Sequence, residues 1–138
     1  MRYRASALCL LSCLLSWAPP ARAAEEAPPE EPGLVGFELG SFVLREYQPL
    51  EDVTTRLIFT VHASVSEQIA TDFSKLLASR THRVRDQVLT AARLASSEEL
   101  QDPELRMLRR RIHLRLKHSL PELDIADIHL SEFQLYRD

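Results

Sequence analysis

The chain has 138 residues, enough for one domain, and at 45% hydrophobic and 27% charged it is neither a disordered nor a collagenous sequence. Its formal net charge is −3; without residues 1–23, which hold Arg2, Arg4, Arg22 and no acid, 14 basic residues face 20 acidic ones and the net is −6. That balance argues against a general nucleic-acid binder, which needs a positive surface.

Met1-Arg-Tyr-Arg4 is a positive start, Ala5–Ala18 is an apolar run of about 14 residues, and Ala21-Arg-Ala23 supplies the small residues a signal peptidase reads. The run is shorter than the roughly 20 residues a membrane span needs. Residues 1–23 therefore read as a secretory signal cleaved after Ala23, which sends the remainder out of the cytoplasm into an oxidising compartment. An uncleaved anchor and a lipid on Cys13 are alternatives that the same residues allow. Both cysteines, Cys9 and Cys13, lie here, so a cleaved chain has no disulfide, no cysteine nucleophile and no thiolate metal site.

Residues 24–40 read as an acidic linker containing proline and all three glycines, and residues 41–138 as the folded domain. No glycine follows Gly40, which excludes a glycine-rich phosphate cradle in the domain. Alternation predicts a first strand over Phe42–Tyr47 and a second over Thr54–Val65, with Leu57, Phe59, Val61, Ala63 and Val65 on one face. The pair Ser64 and Glu67 reads as a helix cap. A long helix then spans Ser66–Ala95, its apolar arc holding Phe73, Leu77, Val84, Val88 and Leu94 but also Arg80 and Gln87, where the helix could bend.

Ser96–Glu99 reads as a stop and a new N-cap, and Asp102-Pro-Glu104 as the start of a second long helix. Its inward face holds Leu105, Leu108, Ile112, Leu116 and Leu120, and Pro121 ends it. The last strand, Ile125–Tyr136, changes phase: Ile128 and Leu130 alternate at even positions, Phe133 and Leu135 at odd ones, which predicts a β-bulge near Ser131–Glu132. The expected fold is α+β, with a small antiparallel or mixed three-stranded sheet packed against two helices in the order β-β-α-α-β.

Chemistry is sparse. His113 and His118 are five apart, which does not place two imidazoles on one ion, and no serine has the flanking glycines of a nucleophile elbow. The reading is of a protein that is not an enzyme, with no cofactor and no metal site. The distinctive feature is basic: Arg106, Arg109, Arg110, His113 and Lys117 form one flank of the second helix, and Met107 and Leu114 stand off its apolar face. Arg106, Met107, Arg109, Arg110, Leu114 and Lys117 form the candidate self-association surface, suited to an acidic patch on another copy or to a membrane surface of anionic lipid.

The segment Arg83-Val-Arg-Asp-Gln-Val-Leu89, then Ser96-Ser-Glu-Glu-Leu100, then Leu105–Leu120 and the closing Ile125–Leu135 resembles the flagellar basal-body-associated protein FliL family over roughly Phe42–Asp138. The resemblance implies a stomatin/prohibitin-like periplasmic domain that assembles into rings around the flagellar stator and supports motility, with no catalytic residues to carry over. That family carries an N-terminal membrane anchor, whereas the apolar stretch here reads as short for one and is followed by a cleavage site. A peripheral lipid-binding or adaptor module unrelated to flagella is the alternative.

Overall fold

The computed structural model describes residues 33–138. The signal segment and most of the linker lie outside the described residues. Strand β1 is Leu34–Gln48 and β2 is Val53–Ser66. A single 3₁₀ turn, Glu67–Ile69, leads into α1, Ala70–Arg93, followed by α2, Ser97–Gln101, α3, Arg106–Ser119, and β3, Asp127–Arg137. The class is α+β; among the described residues the sheet is purely antiparallel and there are three α-helices. The strands stand in the order β1-β2-β3, so β2 is central.

The alternation of β2 decides where the helices go. Leu57, Phe59, Val61, Ala63 and Val65 are buried on one face, and the helices cover it. Beneath α1, Phe42 stacks on Phe59 at 5.5 Å between centroids, and Phe37 meets Phe73 at 4.9 Å. Phe73, Val84 and Val88 of α1, Leu105 before α3, Leu108, Ile112 and Leu116 within it, and Ile128 of β3 are all buried, while Leu77 and Phe133 are partly buried against the same cluster. Each large side chain so placed contributes about 1.5–3 kcal/mol.

Several boundaries differ from the sequence expectation. β1 begins at Leu34, so residues 34–40 are strand and not linker. The reason is a bulge: Glu38 pairs with His62 but Gly40 with Val61, leaving Leu39 as an extra residue. Inward positions are therefore odd before the bulge (Val35, Phe37) and even after it (Phe42, Leu44), which hides the alternation. Gly40 has φ of +131°, which only glycine adopts without strain. The expected bulge in β3 is present: Ile58 pairs with Gln134 and Thr60 with Ser131, so Glu132 and Phe133 together face Phe59, and Glu132 has φ of +53°.

The helix starts also differ. Ser64 lies inside β2, and Ser66 precedes the 3₁₀ turn without a side-chain cap, so the Ser64–Glu67 cap is not made. α1 is continuous through Arg80 and Gln87: the Arg80 guanidinium lies 3.4 Å from Glu122 in the turn after α3, while its buried Nε makes no hydrogen bond among the described residues, and Gln87 accepts from Arg115 of α3 at 3.3 Å. Leu94 falls beyond the helix end and is 58% exposed. Ser96 and Glu99 do form a reciprocal capping box, at 2.9 and 3.3 Å, and it opens the short α2. Asp102 sits in the turn after α2 and accepts from the amides of Glu104 and Arg106, so it serves the start of α3 from four residues upstream.

Leu57→Asp or Val88→Asp should unfold the domain, since each buries an unpaired carboxylate at a cost of several kcal/mol; a cooperative thermal melt near the wild-type temperature would contradict the core placement. Gly40→Ala should lose roughly 1–3 kcal/mol through backbone strain. Gly36→Ala, which meets nothing within 4 Å, should lose far less. Chemical denaturation of the two variants side by side measures the difference.

Candidate interaction surface

α3 turns Leu108, Ile112 and Leu116 inward, which leaves its cations on the two flanks and the outer ridge. They divide into those the fold uses and those it leaves over. Arg111 makes a two-pronged ion pair with Glu99, at 2.7 and 2.8 Å, and the side chains are only 26% and 19% exposed. This pair fastens α2 to α3. Arg109 donates Nε to the Ile128 carbonyl at 2.9 Å and lies 3.4 Å from Asp127, tying α3 to the start of β3. Arg106 pairs at 3.3–3.4 Å with Glu104 and Asp102 in the turn before its own helix.

Of the six residues proposed as a contact surface, then, Arg106 and Arg109 are largely occupied within the fold. Arg110 and Lys117 are exposed and have no ion-pair partner among the described residues. Met107 and Leu114 are 49% and 55% exposed on the outer ridge. With Arg110, Arg115 and His118 they line a shallow groove of about 520 Å³. A second hollow of about 310 Å³ lies between Arg106, Arg109, Arg110, His113 and Asp127. Arg110 borders both.

The histidines take different places. His113 Nε2 donates to the Ile125 carbonyl at 3.0 Å, His62 Nε2 lies 2.8 Å from Ser131 Oγ, and His129 Nε2 lies 3.5 Å from Asp127. His82 and His118 are exposed. Among the described residues no three His, Cys, Asp or Glu side chains converge as metal ligands would. No helix among them is long and apolar enough to cross a membrane.

A row of polar groups across the open face of the sheet escaped sequence reasoning. Ser41 of β1 bonds Thr60 of β2 at 2.9 Å, and Thr60 donates to Glu132 of β3 at 3.0 Å, which leaves Thr60 buried on the face opposite α1 and α3. The β3 bulge aims Glu132 over the neighbouring strand. The phase change in the sequence marked the bulge, but nothing in it marked the partner 72 positions away.

No protein-family model and no curated protein matches the chain.

The Glu99 carboxyl is held below the usual carboxylate range, first by its hydrogen bonds with Arg111 and then by the Ser96 amide. Asp102 is lowered too, chiefly by the Glu104 amide. A carboxylate whose folded pKa is depressed binds fewer protons folded than unfolded. Its stabilisation is therefore complete above the unfolded value of about 4 and is lost as pH falls through the folded one. Glu99→Gln should thus melt below wild type at neutral pH, with the gap closing as the pH drops under about 4. At neutral pH Arg111→Ala should melt lower than Arg110→Ala. Equal melting of those two would remove the distinction drawn between used and unused cations.

Proposed function

We propose that the chain is a non-enzymatic, FliL-like periplasmic scaffold that associates with further copies of itself beside the bacterial flagellar basal body and its stator. The flagellar part rests on the order of motifs from Arg83 to Leu135. The periplasmic part rests on the signal-like residues 1–23. In this reading the domain is of the stomatin/prohibitin-like type and its copies close into a ring.

One observation supports a scaffold above all: the outer ridge of α3 presents Met107 and Leu114 with Arg110 and Lys117, which have no ion-pair partner among the described residues, along one side of them. Exposed apolar side chains beside free charge are what a contact between proteins uses, the first for burial and the second for register. Arg109 is better left out of that surface, since Ile128 and Asp127 already hold it.

Deleting the chain from its parent bacterium should shrink the swimming zone in soft agar at unchanged growth rate. The wild-type chain should restore the zone, and a chain carrying Arg110→Glu and Lys117→Glu should not. An unchanged zone would end the flagellar reading. If the same two substitutions instead abolish salt-sensitive binding to anionic liposomes, the lipid-binding module takes its place.

A further inference from the structure

Opposite charges are segregated along this chain. Residues 24–32 carry Glu25, Glu26, Glu30 and Glu31, three prolines and no base. The outer side of α3 carries Arg110 and Lys117 without acidic partners among the described residues, beside the exposed Met107 and Leu114. We infer that residues 24–32 of one copy lie along the outer side of α3 of a neighbouring copy, their glutamates meeting Arg110 and Lys117. This rests on the scaffold reading and names what the α3 surface holds.

The same segment does not suit its own domain. Gly33 is held by the Glu67 amide, and a Glu67 carboxylate oxygen lies 2.9 Å from where a Cβ on Gly33 would stand. Asp72, Glu122 and Asp124 line the hollow beside Ile69, at the start of α1. An acidic segment leaving at Gly33 is therefore repelled by the end of the domain it leaves.

β1 and β3 flank β2, so their axes stand about 10 Å apart. Arg109 donates to the Ile128 carbonyl, which places α3 on the β3 side of the sheet, whereas the segment enters at β1 on the other side. Each copy offers one segment and one α3, a head-to-tail contact that closes into a ring where the rotation between copies permits.

Sedimentation velocity of the full chain, at low salt and at about 1 M salt, tests this. The wild type should form multimers at low salt that dissociate at high salt. Glu30→Lys with Glu31→Lys should weaken association at least tenfold, and so should Arg110→Glu with Lys117→Glu, with thermal melts unchanged. All four substitutions together should restore it. A wild type that is monomeric throughout, an acidic-segment variant that associates like wild type, or four substitutions that fail to restore association would each overturn the proposal. Sedimentation needs no motor, so an unchanged swimming zone would refute the flagellar reading and leave this one standing.

Discussion

The domain depends on β2 having one apolar face and two edges to fill. Leu57, Phe59, Val61, Ala63 and Val65 all need covering on the same side, while β1 and β3 must take the backbone groups along both margins. Both neighbours carry a bulge, that of β1 at Leu39 opposite Val61–His62 and that of β3 at Glu132–Phe133 opposite Phe59. Each extra residue adds local twist to the sheet. α1 crosses above this stretch with Phe42 and Phe59 stacked beneath it.

Once the helices are fixed over that face, most of the ionic chemistry is committed to holding them. Arg111 joins α2 to α3, Arg109 joins α3 to β3, Arg115 joins α3 to α1, Arg80 of α1 faces Glu122 in the turn after α3, and His113 fastens the turn before β3. A run of cations that looks uniform in the sequence is thus a set of distinct attachments with a small remainder. The remainder sits next to the two apolar side chains that α3 cannot turn inward, and that coincidence gives the surface its character.

The inward stripe of α3 and the face of β2 were legible because period and burial coincide there without interruption. The β3 bulge was legible for a related reason, since apolar residues on both sides of it reveal the slip. The β1 bulge was not: glycines at 33, 36 and 40 leave too few side chains to carry a phase, and the segment imitates a linker. Cap chemistry divided similarly. Ser96 and Glu99 need only each other, whereas the start of α3 depends on Leu105 taking a left-handed conformation, with φ of +50°, that no local pattern encodes. Partners far apart in sequence, such as Thr60 and Glu132 or Arg109 and Ile128, lie outside what periodicity can reach.

β3 closes the sheet from far along the chain: the contact of His62 with Ser131 spans 69 positions. The β1–β2 hairpin can assemble from neighbours in sequence, but the other margin of β2 waits for a segment that arrives only after three helices have been placed. Closing so large a loop is slow relative to forming the hairpin. Through that interval the most apolar strand of the molecule is a raw border, open to any extended segment that meets it. The hazard of this architecture is therefore kinetic, and it lies in the time before the last strand arrives.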